Sequence, residues 1–584
     1  MKTAWDLRIF YNSKRDPRIK RDFNKLTSAY TAFAKKYQQQ KQYLRKEKAL
    51  LKALQDYEKL STLGESAPVL LYLFLTRELD TEDSEAHALL TKLSTELTTF
   101  SNKILFFELE LSKLPLVQQR KFLKSKLLAP HRYQLECLFK EGKYFLSEAE
   151  EKILNLKSLP SYELWVDGVE KVLNKQVVSF GKEQLPLPKA QNMIPNLPTK
   201  KRRELHAKTM ECLKLVSDFA ESEINAVVLN KKIGDELRGY KEPYSATIQS
   251  YENDEKSVLN LVKVVTDNFS ISHRFYRLKA KLHKLSELTY ADRSASVGSV
   301  KRKFSFKDSA KLFEEVLATL DPLYVNIFKR FLDKGQIDVY PKKGKSRGAY
   351  CLGSIGNPTF VLLNHTDSFN SFTTLAHEMG HAIHTELAKA QPPRYQGYTT
   401  SVAETASTLF EALAFEHLFE NLSKREQIIA LHDKLSGDIS TVFRQIAFFN
   451  FELDLHKSIR AEGSLSKEVI ARLLNKHMDG YLGPSVKLTD DDGYFFVAVS
   501  HFRRFFYVYS YAYGQLISKV MAQRFVADRS YSKQIKEFLT LGNSKSPIDI
   551  FKQIGIDTTR PNFFAKGLQS IEQDIVRLEN LIDG

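Results

Sequence analysis

The sequence predicts a mainly α-helical protein. Three observations lead there. Chain breakers are scarce, with 24 Gly and 18 Pro among 584 residues. Apolar residues recur at helical spacing over long stretches, and one short segment alone carries a convincing strand pattern. A chain of 67.2 kDa, 43% hydrophobic and 27% charged, buries a core large enough to divide between two or more domains or lobes.

From about Asp22 to Leu156 the helical period runs on with few breakers, as in Leu50-Leu51-Lys52-Ala53-Leu54 and Val69-Leu70-Leu71-Tyr72-Leu73-Phe74-Leu75. Prolines then cluster in Leu185-Pro186-Leu187-Pro188 through Pro195-Asn196-Leu197-Pro198, and prolines two apart do not continue a helix. The division is therefore expected near residue 190, between a helical N-terminal domain (1–190) and a C-terminal domain (191–584). The polar stretch from Asp292 to Lys307 reads as a loop. Gly348-Ala349-Tyr350-Cys351-Leu352 and Thr359-Phe360-Val361-Leu362-Leu363-Asn364 flank a turn-rich Gly353-Ser354-Ile355-Gly356-Asn357-Pro358 and read as a hairpin. An edge strand there is expected either to receive a peptide as an added strand or only to brace the helix that follows.

That helix begins near Ser368 or Ser371, ends before Pro392-Pro393, and carries His377-Glu378-Met379-Gly380-His381. Histidines four apart on a helix are separated by about 6 Å along the axis and rotated by only about 40°, so both imidazoles can face one ion. This is zinc-ligand spacing, and Glu378 projects close enough to take a proton from water there. His384 lies on the same stripe. Positions seven apart are about 10.5 Å apart, too far for three side chains of one helix to reach an ion at about 2.1 Å, so His384 is read as a supporting or packing residue with ligation as the alternative. The candidate third ligand is Glu404, near the start of the next helical pattern; Glu411 on the same face is expected to hold a ligating imidazole in place.

Far downstream, His501-Phe502-Arg503-Arg504-Phe505-Phe506-Tyr507-Val508-Tyr509-Ser510-Tyr511 is ambiguous by itself, because an aromatic stripe at helical spacing serves a core as well as a site. Tyr507 and Tyr511 are expected on one helix face.

The net charge is +17, yet the basic residues are spread, as in Lys35-Lys36, Lys200-Lys201-Arg202-Arg203, Lys231-Lys232 and Lys342-Lys343. They read as solvated helix faces, with selection of acidic partners or peptides as the alternative; neither nucleic acid nor membrane is expected as a partner. Cys137, Cys212 and Cys351 are too few for a disulfide framework, and no leader or apolar span stands out, so a cytoplasmic protein is expected.

His377-Glu378-x-Gly380-His381-x-x-His384, Ala403-Glu404-x-x-Ser407 and the C-terminal His501 with its tyrosines together resemble the thimet oligopeptidase family of zinc peptidases, and within it the oligoendopeptidase F branch. Trp5-Asp6-Leu7, Tyr11, Asp16-Pro17, Arg238-Gly239-Tyr240, Gly348-Ala349-Tyr350 and Asn364 add to the resemblance. It implies a two-lobed helical fold with a deep channel that admits short peptides, a helical oligoendopeptidase F-type domain ahead of a zinc peptidase domain, and one Zn2+ ion. Carried onto this chain, it implies His377, His381 and Glu404 as ligands, Glu378 as base, and His501, Tyr507 and Tyr511 as substrate and oxyanion contacts. The expected function is thus zinc-dependent endopeptidase action on short oligopeptides. An exopeptidase is the rival within enzymes, and an inactive peptide-binding or basic scaffold protein the rival outside them.

Overall fold

The computed structural model describes residues 1–584. Helices hold 73% of them, and no sheet exceeds three strands. Helix α1 (Pro17–Gln39) starts where it does because the Asp16 carboxylate accepts the N–H of Arg18, while Pro17 in the first turn needs no donor. Helices α2 (Glu47–Glu65), α3 (Leu105–Ser112) and α4 (Arg132–Glu141) follow. Their apolar faces meet around Phe33, Leu54, Phe107 and Leu135, in a core separate from the rest. A 40-residue helix, α5 (Thr199–Arg238), ends at Gly239, whose left-handed φ of 80° lets its N–H reach back to the carbonyls of Asp235 and Glu236. From Val178 to Leu578 most of the buried apolar residues form one continuous core, while Phe360 and Leu362 join Trp5, Tyr11 and Leu73 in a third cluster.

There are seven short strands. β1 (Val177–Phe180) and β2 (Glu183–Pro186) form an antiparallel hairpin; β3 (Leu288–Thr289) pairs in parallel with β7 (Val486–Lys487). β4 (Ile337–Asp338), β5 (Tyr350–Leu352) and β6 (Phe360–Leu362) make a sheet of order β4-β6-β5. β5 runs antiparallel to β6 with Tyr350 opposite Leu362 and Leu352 opposite Phe360, so the expected hairpin is present and β5 is an edge.

Three local readings differ. The Pro-punctuated stretch contains β2 and a helical turn over Leu187–Met193, which tolerates Pro188 because it falls in the first turn. The polar loop stops at Ser305, whose side chain caps a helix starting at Phe306. Arg202 is not on a solvated face: it is 2% exposed, and with Arg203 it grips the buried Asp292 at 2.7 Å each. No helix is long and apolar enough to cross a membrane.

Candidate active site

Helix α6 (Phe369–Ala388) is capped by Ser368, whose hydroxyl accepts the N–H of Ser371 at 3.2 Å. Phe372, Leu375, Ala376, Met379, Ala382 and Ile383 bury its apolar stripe. Helix α7 (Thr400–Phe419) packs across the face that carries the two histidines. The closeness of that crossing depends on Gly380, since a Cβ there would stand 2.8 Å from the Ser407 Cα and 3.1 Å from the Phe410 ring. On the other side of α7, helix α8 (Tyr509–Ala527) approaches through Gly514, where a Cβ would meet the Glu404 Cβ at 3.0 Å. Two glycines thus let α7 sit between its neighbours and carry Glu404 over α6.

The result is a convergence of three ligand atoms. The Glu404 Oε2 lies 3.7 Å from His377 Nε2 and 4.0 Å from His381 Nε2, and all three atoms fall within 4.8 Å of one another. Ligands at about 2.1 Å from a tetrahedral ion stand about 3.4 Å apart, so side-chain adjustment of about 1 Å or less per ligand closes this set around a metal. Two imidazoles and a carboxylate are the donor set of a catalytic zinc site with an open fourth position. His377 Nδ1 hydrogen-bonds the Glu411 carboxylate at 2.9 Å, which fixes the ring and leaves Nε2 turned to the cluster. Burial works to lower the His377 pKa, but the Glu411 hydrogen bond and the charges of Glu411, Glu378 and Glu404 together outweigh it and lift it to about 9; burial, with His377 and His384 beside it, pushes His381 down to about 3.

Glu378 is 6% exposed and its Oε2 has no hydrogen-bond partner in the protein. Burial raises its pKa to about 7, against the pull of His377 and with a push from Glu404. The carboxyl borders a cavity of about 560 Å³ shared with His377, His381, Glu404 and the edge strand from Tyr350 to Leu352. A second cavity of about 620 Å³ also touches His377 and Glu404, and it reaches Glu411 and Tyr511. Space therefore flanks the cluster on two sides.

Of the aromatic group, Tyr511 borders this second cavity. Tyr507 and His501 stand against it with ring centroids 5.7 and 6.1 Å away, and the Tyr507 hydroxyl and His501 Nδ1 share a hydrogen bond. Burial, then Arg444 and Arg504, pushes His501 down to about 4. The expected helix face through Tyr507 and Tyr511 is not formed, because α8 starts only at Tyr509. Phe505 and Phe506 before it adopt left-handed φ of 46° and 62°, held by Thr247 Oγ1 donating to the Phe505 carbonyl and by the Phe506 N–H donating to Glu452. His384 is wholly buried, stacked on Tyr398 at 3.8 Å, with neither ring nitrogen hydrogen-bonded. It lies outside the three-atom cluster.

The profile of Peptidase family M3 matches residues 200–570, and that of the N-terminal Oligopeptidase F family matches 110–167. The chain belongs to peptidase family M3. An oligoendopeptidase F homolog of Lactococcus lactis subsp. lactis is 25% identical over 538 residues, covering 90% of this chain and 89% of its own. Oligopeptidase PepF of Bacillus subtilis is 29% identical over 350 residues, 59% of this chain and 52% of that protein. The crystal structure of oligoendopeptidase-F from Enterococcus faecium superposes with a TM-score of 0.74 at 20% identity, over 97% of this chain and 99% of that one. A solved chain from Chlamydophila abortus reaches 0.85 at 22% identity, over 99% and 98%. The mainly helical M3 fold with a small sheet beside the histidine helix is therefore the fold of this peptidase.

Some lining residues of the candidate site escape a reading of the sequence. Glu65, at the end of α2, walls the first cavity, and the backbone carbonyls of Glu65 and Ser66 accept from Ser354 Oγ and Asn357 Nδ2 at 2.5 and 3.3 Å. No local pattern announces a contact across nearly 300 residues. Tyr398 also lines that cavity and hydrogen-bonds Thr385 at 2.6 Å, whereas its sequence context reads only as the break between two helices.

Proposed function

We propose that this peptidase is a zinc-dependent endopeptidase that cleaves short oligopeptides. One observation carries the reading: His377 Nε2, His381 Nε2 and Glu404 Oε2 converge beside a buried carboxyl oxygen of Glu378 that has no partner of its own. His377, His381 and Glu404 would hold the ion, with Glu411 steadying His377. Zinc, when bound, supplies the Lewis acidity that polarises a scissile carbonyl and eases deprotonation of water.

The remaining steps belong to the chain. The Glu378 carboxylate takes a proton from the attacking water and passes it to the departing amine. Tyr511, on the side of the second cavity, donates its hydroxyl to the oxyanion, and the Tyr507–His501 pair stands behind it. The free edge of β5 offers backbone N–H and C=O groups to an extended peptide, which gives binding that tolerates varied side chains. Room on both sides of His377 and Glu404 supports cleavage inside a peptide rather than at its end. The wall supplied by the 1–190 region supports short, unfolded substrates.

Glu378→Gln tests the reading. It keeps the ligands and the fold but removes the proton acceptor, so kcat on a quenched-fluorescent oligopeptide should fall by roughly 10²–10⁴ at unchanged zinc content. Turnover above a tenth of wild type, or a wild-type chain that binds no zinc, overturns it.

A further inference from the structure

A third cavity, of about 340 Å³, adjoins the first and shares Glu65 and Ile355 with it. Five carboxylates line it: Glu58 and Glu65 from α2, Glu108 from α3, Glu141 from α4, and Glu252 from the turn after the Ser245–Ser250 helix. Against them stands one guanidinium, Arg394. In a chain with 87 lysines and arginines, none of the five carboxylates joins an ion pair, although their near neighbours do: Glu110 pairs with Lys41 and Glu151 with Arg238. Glu252 accepts hydrogen bonds from the Tyr133 hydroxyl and from Asn543, which hold it in place without neutralising it.

A second, independent feature points to a ligand. Gln134, 6% exposed, lines the same cavity, and its Oε1 has no hydrogen-bond partner in the protein. A buried acceptor without a donor costs stability unless something fills it. The charge of Glu141 reports the same unmet negative field: burial, then Glu252 and Glu108, pushes its pKa up.

The position of the cavity says which part of a peptide reaches it. β5 runs from Tyr350 to Leu352 and the chain continues to Ile355. A peptide added antiparallel to β5 starts where β5 ends, so its N-terminal part lies toward Ile355 and the carboxylates. We infer that this cavity is a subsite for a cationic group on the N-terminal side of the scissile bond, either a lysine or arginine side chain or the α-ammonium of the peptide. The inference rests on the peptidase reading above and adds a substrate preference opposite to the one that the net charge of +17 would set.

The test uses the full-length zinc-loaded chain and matched quenched-fluorescent octapeptides that carry Lys, norleucine or Glu at one position two to four residues before the cleaved bond, each with a free or an acetylated N-terminus. kcat/KM for the Lys peptide should exceed that for norleucine by about tenfold, with Glu below both. A preference that follows the free N-terminus instead assigns the α-ammonium as the occupant. The ratio should drop to within about twofold in Glu108→Gln/Glu141→Gln, and should drop partway in the milder Glu58→Gln. Cleavage of the norleucine peptide shows that each variant is folded. Anisotropy titrations of the same peptides on the E378Q chain read the preference as binding, so the inference is decided even where cleavage fails. No cleavage of any peptide by the wild type counts against the peptidase reading. Equal binding of all the peptides, or a preference that survives the double variant, overturns the subsite.

Discussion

Tyr511 and Tyr507 differ by four residues and by one consequence of backbone geometry. Tyr511 borders the cavity next to His377 and Glu404, while Tyr507 sits before the first turn of α8 and spends its hydroxyl on His501. Tyr511→Phe should therefore lower kcat by roughly 10²–10³ with zinc content and melting temperature nearly unchanged, the loss expected for a deleted oxyanion donor. Tyr507→Phe should cost less, and steady-state kinetics with parallel melts separates the two; equal losses would make them a joint donor pair. The ligand assignment is tested in the same way. Glu404→Ala should weaken zinc affinity far more than His384→Ala, because His384 is sealed against Tyr398 while Glu404 Oε2 faces both Nε2 atoms. Metal titration with a competing chelator decides it, and the reverse order would move the third ligand to His384. At this scale the pair His377 and His381 was readable from spacing, since a single helix fixes their relation. Tyr507 falls outside the helix that its spacing predicts because two phenylalanines adopt left-handed φ there, a conformation that side chains of their size seldom signal.

Elements join at two glycines. His-Glu-x-Gly-His shows Gly380 as part of a motif, but its purpose depends on what faces it, and that partner, Ser407, comes 27 residues later on α7. Gly380→Ala adds a methyl group 2.8 Å from the Ser407 backbone, which has no flexible end to swing aside. α7 must shift by some tenths of an ångström, and Glu404 moves with it. The variant should lose about 1–3 kcal/mol of stability, as overpacking does, and bind zinc more weakly although no ligand has changed. Denaturant melts of the metal-free chain and zinc titration check both. A variant with full zinc affinity would show that α7 adapts locally. Glu404 itself was legible as a candidate because a helical hairpin can return it over α6; which of the acidic residues on α7 returns was set by the approach of α8 through Gly514, and that contact has no local signature.

Across the whole molecule, the first residues of the chain hold the sheet whose free edge is β5. The Trp5 indole Nε1 donates to the carbonyls of Gln336 and Val361 at 3.1 and 2.9 Å, and the Trp5 N–H donates to the Asp338 carboxylate at 3.2 Å. The Val339 N–H closes the seam on the Thr3 carbonyl at 3.0 Å, and the Trp5 ring meets Phe360 edge-on at 5.6 Å. Trp5-Asp6-Leu7 was noticed in the sequence only as a family mark, since contacts that span more than 330 residues leave no periodicity to read. Their physical role makes a separable prediction. The proposed metal ligands stand on α6 and α7, whereas Trp5 braces β4 and β6, and β6 is the strand that holds β5 in register. Trp5→Ala should therefore cost about 3–5 kcal/mol of stability, raise KM for oligopeptides and leave zinc affinity intact. Trp5→Phe keeps most of the apolar contact but removes the two indole hydrogen bonds, at about 1–3 kcal/mol together, while the Gln336 carbonyl keeps the Val361 N–H, and it should raise KM less. Loss of zinc in step with KM would show that the sheet and the histidine helix move as one body, and an unchanged KM would remove β5 from substrate binding.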